Sequence, residues 1–291
     1  MEHTITNIIG LSLAKNIVKY NFPAKQVLEQ HKDMYSKWYF VVPKPEQDLD
    51  NTVDTLTKYA KEYSINIDFI EVDWPTEKGF HTESIDKIHT TYAIKVLQES
   101  YKNTDVWLHK HDLDEFLKLD DQNYIKEIIN DFINLNRNTQ DNSKYTKISY
   151  KWIQLIKNVN FSCKDPTLCK NHLVDLKANP HILGNDASDL FTEYGLTIDL
   201  SDVYLFHTGY VNSPEQLTRK IKEHVILNKS VYNIPKELID SYKWEWPEHK
   251  QGAYLWPLGI SVLNGAKNQI EYISINNNML PEILRNNIKL Y

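Results

Sequence analysis

Between Ile5 and Val72 three short apolar runs, Ile5 to Leu13, Trp38 to Val42 and Ile65 to Val72, alternate with two stretches whose apolar residues recur at helical spacing. Pro23 can open the first helix, reaching to about Lys32, because proline is preformed for a first turn. Asp50-Asn51-Thr52 starts the second, with Val53, Leu56 and Tyr59 on one stripe. Strands separated by helices are joined by crossovers, and crossovers make parallel pairs. The expected fold class is therefore α/β, a Rossmann-like mixed and mainly parallel sheet flanked by helices.

The pattern continues with a long helix from about Thr82 to Tyr101, a fourth strand from Asp105 to His109 and a helix from Tyr124 to Leu135. Asn136 to Lys144 is polar and reads as a surface loop. Further strands are expected at Tyr150 to Ile156, Leu173 to Leu176 and Val203 to His207. From Pro214 the chain turns helical, then rich in tryptophan and proline at Trp244, Trp246, Pro247, Trp256 and Pro257. The expected division is a catalytic domain over 1–212 and a small helical C-terminal region over 213–291 that packs on its cleft.

Composition narrows the function. The 41% hydrophobic and 25% charged residues describe a globular protein and exclude disordered and fibrous classes. Only 8 glycines occur, and neither G-x-G-x-x-G nor G-x-x-x-x-G-K is present, which removes the simplest nicotinamide and P-loop readings. No apolar run approaches the roughly 18 residues of a spanning helix, and the N-terminus lacks a basic leader. A cytoplasmic location is the expectation. Lys+Arg 33 against Asp+Glu 39 gives a net charge of −6, which argues against tight non-specific nucleic-acid binding. Cys163 and Cys169 lack a second pair for zinc and read as free thiols.

The sharpest motif is Asp112-Leu113-Asp114-Glu115, directly after the fourth strand. Two carboxylates one residue apart at a strand end can reach one cleft and hold a hard divalent cation. Such a cation can bridge two oxygens of a nucleotide diphosphate and neutralise the charge that builds as it departs. Acidic residues also cap helices, but three in four after a βαβ layer favour the site. A rival reading starts from His109-Lys110-His111, since H-x-H after a strand also holds zinc in metal-dependent hydrolases. A third is a nucleotide-binding or sugar-binding module without catalysis.

Taken in order, Lys15-Asn16 with Pro23, Asp50-Asn51-Thr52, the stretch Asp105 to Phe116 and Phe206-His207-Thr208-Gly209-Tyr210 resemble the motifs of the GT-A fold nucleotide-sugar glycosyltransferases, the family 2 type in particular. The resemblance covers about residues 6 to 225. Asp48-Leu49-Asp50 departs from the family's commoner D-D-G-S-x-D run, which leaves open which aspartate meets the base. The resemblance implies a metal-dependent transferase that moves a hexose or pentose from a nucleotide sugar, a UDP-sugar first, to an acceptor hydroxyl with inversion.

It further implies that Asp112 and Asp114 sit at the diphosphate and its Mn²⁺ or Mg²⁺, that Asp50 and Thr52 contact the nucleoside, and that Lys15 and Asn16 lie near the nucleotide. Glu115 would support the metal site from behind. His207 is read as a third metal ligand, a diphosphate contact or a core histidine. Lys220, one turn before His224, would close over the phosphates or lie on a solvated helix face. The base that removes the acceptor proton is expected in Gly184 to Asp189, as Asp186 and then Asp189, with Asx turns as the plain alternative. Glycans and lipid-linked molecules are the expected acceptors, with a hydroxymethylated base of phage DNA as a minority case. The oligomeric state is not legible.

Overall fold

The computed structural model describes residues 7–74, 82–156, 158–163, 168–182, 189–227, 236–241, 243 and 272–286. Its first layer is β1 (Ile8–Leu13), α1 (Ala24–His31), β2 (Lys37–Pro43), α2 (Thr52–Tyr63) and β3 (Ile67–Val72). β1 pairs in parallel with β2, and β2 with β3. α3 (Thr82–Ser100) then leads to β4 (Trp107–Lys110), which pairs in parallel with the other side of β1. The strand order β3-β2-β1-β4 thus reverses between β1 and β4. In open α/β sheets the ligand crevice lies outside the carboxyl ends of the strands at such a reversal.

Both faces of this layer are covered, which explains why its strands read as near-continuous apolar runs. Trp38, Phe40 and Trp107 pack on one face with Val27 and Leu28 of α1 and Leu56 and Ala60 of α2. Leu11, Val41 and Leu108 pack on the other with Ile85, Ala93, Ile94 and Leu97 of α3. Gly10 lies opposite both Trp38 and His109. A Cβ there would come 2.7 Å from Trp38 Cδ1, so glycine is what lets the indole lie across β1. The Trp38 Nε1–H donates to Ser12 Oγ at 2.9 Å, and the Ser12 hydroxyl donates to the His111 carbonyl.

The second half comprises β5 (Glu115–Phe116), α4 (Leu119–Asn136), β6 (Tyr145–Ile156), β7 (Asn158–Cys163), β8 (Leu168–Asp175) and β9 (Leu196–Tyr210). After it come α5 (Pro214–Leu227), α6 (Lys236–Ser241), β10 (Tyr272–Ser274) and α7 (Glu282–Asn286). β8 joins β4 antiparallel, and β6 lies between β8 and β7. β9 runs parallel to β6 and antiparallel to the two-residue β5, which sets His207 opposite Glu115. The whole is a mixed α/β sheet flanked by helices, GT-A-like in class.

β6 and β9 extend well beyond the expected Tyr150 to Ile156 and Val203 to His207 because their outer parts are polar and alternating, and their pairing shifts register three times. β7 and β10 carry no apolar run that would announce them. The Trp- and Pro-rich stretch from Trp244 to Pro257 lies outside the described residues. Among the described residues no helix is long and apolar enough to cross a membrane.

Candidate active site

The loop after β1 is built by backbone constraints. Asn16 and Asn21 have φ of 57° and 51°, in the left-handed region that asparagine tolerates better than most residues. One Asp50 oxygen accepts from Val18 N and Lys19 N at 3.0 and 3.1 Å, and the other accepts from the Thr52 hydroxyl at 2.6 Å. Thr52 Oγ1 in turn lies 3.3 Å from Ile17 N. Asp48 instead caps α2, accepting from Thr52 N and Val53 N at 2.9 and 3.0 Å, where a carboxylate also meets the positive end of the helix dipole. The carboxylate expected at the nucleoside therefore also ties the β1 loop to the start of α2.

From the other side α5 clasps the same loop. Lys19 Nζ is 2.8 Å from Glu223, the Tyr20 hydroxyl donates to Glu223, and the Arg219 guanidinium donates to the Lys19 carbonyl. One turn away, Lys220 Nζ donates to Gly209 O at 3.1 Å and sits 5.4 and 5.8 Å from the Tyr210 and Phe22 rings. Burial pulls its pKa down, against Asp114 and Asp112, which favour the charge. Tyr20, Phe22, Asp114, Gly209, Asn212 and Lys220 line a small cleft at this reversal point. Lys15 lies in a neighbouring group, its Nζ 5.2 Å from the Trp74 ring, which tilts against His89 at 4.5 Å. Burial lowers the Lys15 pKa, nearby Lys19 adds to this, and Asp50 opposes it.

The acidic motif divides its labour. Asp114 is buried, and its carbonyl accepts from Thr208 N and Oγ1 at 2.7 and 2.9 Å. Its Oδ2 lies 3.3 Å from His207 Nε2. Burial raises the Asp114 pKa, but His207 and Lys220 outweigh it and hold the carboxyl below its usual range. Asp112 is more exposed and pairs with Lys110 at 3.2 Å. Glu115 is buried behind them, accepting from Asp112 N at 2.8 Å and Trp152 Nε1 at 3.1 Å. Burial first and the Asp112 charge second push its carboxyl up to about 7.

Gly209 faces the Asp114–His207 pair. A Cβ there would lie 2.8 Å from Asp114 Oδ2 and 2.9 Å from His207 Nε2. The space beside these two donors is thus kept by the one residue type without a side chain. A carboxylate oxygen suits Mn²⁺ or Mg²⁺, and an imidazole nitrogen beside it favours Mn²⁺ over the harder Mg²⁺. Among the described residues no three His, Cys, Asp or Glu side chains converge as a metal set. Asp114 and His207 are the two side chains that would hold a divalent cation here.

Hydrogen bonding removes His109 from the H-x-H zinc reading. His109 Nδ1 is 2.7 Å from the Tyr35 hydroxyl, and its Nε2 is hydrogen-bonded to the Tyr150 hydroxyl, which leaves neither nitrogen for a metal. His111 is fully buried against His31 and His109, with ring centroids 4.3 and 5.0 Å apart. His109, on β4, and His111, just after it, both lie in the core.

Asp186, with the loop from Gly184 to Ser188, lies outside the described residues; Asp189 follows it, half-buried. The side chain of His224 is likewise not described. Sequence reasoning did not single out Gln154, Trp152 or Asn212. Gln154 and Trp152 lie on β6 beside His207 of β9, and Asn212 follows that strand with its Oδ1 buried and unbonded. Their only sequence signal was position on strands whose pairing the pattern did not reveal.

No protein-family model matches the chain, and no curated protein matches it. In structure the chain is similar to S. aureus TarS, with a TM-score of 0.36 and 12% identity over 76% of this chain and 39% of that one. It is also similar to S. aureus TarS 1–349 in complex with UDP, with a TM-score of 0.37 and 13% identity over 76% of this chain and 65% of that one. The chain thus spans about two-fifths of the first neighbour and just under two-thirds of the second.

Proposed function

We propose that this protein is a glycosyltransferase that takes a sugar from a nucleoside diphosphate, UDP first, and passes it to an acceptor hydroxyl with inversion. The observation that carries the reading is the meeting of Asp114, His207 and Lys220 beside the carboxyl ends of β1 and β4. A departing diphosphate needs positive charge placed in advance, because preorganised charge stabilises the transition state without reorganisation. A divalent cation bound there supplies Lewis-acid stabilisation of the leaving group.

The chain's own residues do the rest. Asp114 and His207 hold the cation, and Asp112, turned to Lys110, adds negative charge that raises cation affinity. Lys220 supplies an ammonium to the phosphates from α5. Asp50 and Thr52 hold the β1 loop, where Lys15 and Asn16 lie at the nucleotide. Inversion needs a carboxylate across the sugar from the diphosphate, so the base comes from a distant segment; Asp186 is our first choice and Asp189 the second. The acceptor is a glycan, a lipid-linked molecule or a hydroxymethylated DNA base.

The test is thermal protection followed by turnover. UDP with Mn²⁺ should raise the melting temperature more than ADP or GDP, since a ligand at 100 times its Kd stabilises by about 2.7 kcal/mol. A panel of UDP-sugars should then show metal-dependent hydrolysis. Equal protection by all three nucleotides removes the uridine assignment, and no protection by any removes the transferase. Asp186→Asn should keep UDP binding and depress transfer by about 10² to 10⁴.

A further inference from the structure

Gln154 on β6 is buried, and its amide has one possible orientation. Its Nε2 donates to the Leu155 carbonyl at 2.8 Å and the His207 carbonyl at 3.2 Å. Its Oε1 is therefore the atom 2.6 Å from His207 Nδ1. An amide oxygen only accepts, so Nδ1 must carry the hydrogen. The other nitrogen, Nε2, lies 3.3 Å from Asp114 Oδ2. Gly209 leaves clear the space beside these two atoms. The Trp152 ring stacks on the imidazole at 4.9 Å and 29°, which restrains rotation of the ring.

We propose that Gln154 is a positioning residue that fixes His207 in its Nδ1–H form, so that Nε2 and Asp114 Oδ2 are offered together to one divalent cation. The proposal rests on the metal-dependent reading above. It is physically the device by which a ligating histidine is oriented: the nitrogen away from the metal donates to a fixed acceptor, which sets the tautomer and the plane of the ring. A neutral amide does this without adding a charge beside Glu115 and Asp114. The other tautomer would set Nδ1 against Gln154 Oε1, lone pair against lone pair, in a buried place where an unmet acceptor is costly.

The test uses the full chain labelled with ¹⁵N-histidine and, separately, Mn²⁺ binding in the presence of UDP followed by the EPR signal of free Mn²⁺. At pH 8.5 without metal, His207 should show the Nδ1–H tautomer. Gln154→Met, which keeps the bulk and removes the acceptor, should weaken Mn²⁺ binding by about 10- to 100-fold and leave His207 as a mixture of tautomers. Gln154→Glu retains an acceptor for Nδ1 and should hold Mn²⁺ within about threefold of the parent, although its second oxygen faces two carbonyls and lowers stability.

An Nε2–H tautomer in the parent overturns the proposal. So does Mn²⁺ affinity unchanged in Gln154→Met, or a loss in Gln154→Glu as deep as in Gln154→Met, which would reduce Gln154 to packing. His207→Ala separates the two levels of argument. If it loses Mn²⁺ while Gln154→Met does not, only the role of Gln154 fails. If the parent and His207→Ala bind Mn²⁺ alike, the metal site itself is elsewhere and the role of Gln154 falls with it.

Discussion

Two histidines of this molecule sit in one sheet and differ in what meets their ring nitrogens. His109, on β4, has a tyrosine hydroxyl on each ring nitrogen. His207, on β9, has Gln154 on one nitrogen and leaves the other facing the Asp114 carboxylate beside a glycine. The first imidazole is a finished piece of core; the second has one nitrogen held back from the protein. Between these two histidines the partner of the second nitrogen and the exposure of the ring both differ, and proximity to the acidic motif does not separate them. His109 lies nearer to Asp112 in sequence, yet it belongs to the fold.

The comparison breaks most visibly if the two sites exchange phenotypes. Asp114→Ala should cut UDP-sugar turnover by about 10² to 10³, the usual loss when one element of transition-state charge stabilisation is removed. His109→Phe should act on stability alone. It leaves the buried Tyr35 and Tyr150 hydroxyls without their partner, at about 1 to 3 kcal/mol each, while UDP binding per folded molecule stays as it was. Chemical denaturation with UDP titration reads both quantities. A fully stable His109→Phe that had lost activity would return the H-x-H motif to the active site.

The acidic limb of the stability curve sharpens the same contrast. His31 donates from Nδ1 to the Val27 carbonyl at 2.8 Å and accepts from Leu117 N at Nε2, and burial pushes its pKa down to about 4. Burial, aided by neighbouring His31, holds His109 and His111 well below the ordinary histidine range. Between pH 6.5 and 4 the unfolded chain binds protons that the folded chain refuses, so stability is full above the unfolded value and falls as pH drops. For His31 alone the gap is worth about 3 kcal/mol. Glu115, raised to about 7, works against this over part of the window, because its protonated form is the one the fold prefers. His31→Gln cannot titrate, so its unfolding free energy should lose less between pH 7 and pH 4 than the parent's. Parallel curves would mean that His31 takes up its proton in the folded state.

How much of this was legible depends on whether a feature was local. The β1 to β4 layer could be read because its inner strands are buried on both faces and so appear as apolar runs, as in Trp38 to Val42. The D-x-D and F-H-x-G-Y motifs marked Asp114 and His207 because both are short and lie at strand ends. That the two residues meet depends on the antiparallel pairing of β5 with β9, 92 positions apart in the chain at Glu115 and His207, and no local pattern encodes such a pairing. Gln154 was invisible for the same reason: a glutamine on a strand acquires meaning only from the neighbour that β9 brings beside it. The H-x-H motif misled because spacing reports which face a side chain is on, and only the fold reports what that face meets.

The smallest effect concerns the clasp between α5 and the β1 loop, which belongs to neither histidine. Glu223 meets Lys19 at 2.8 Å with both side chains partly exposed, and it also accepts from Tyr20, whose hydroxyl is pushed up by burial and by that carboxylate. Partly exposed ion pairs are screened and contribute about 0.2 to 1 kcal/mol. Glu223→Gln keeps an acceptor for Tyr20 and removes the charge, so global stability should barely move. The loop, however, carries Tyr20 and Phe22 into the cleft beside Lys220. Loosening it by that amount should raise KM for the UDP-sugar by about two- to fivefold with kcat unchanged, and raising the salt concentration should erase the difference from the parent. A fall in kcat at constant KM would place Glu223 in the chemistry, alongside Asp114, and the clasp would have to be counted as part of the site.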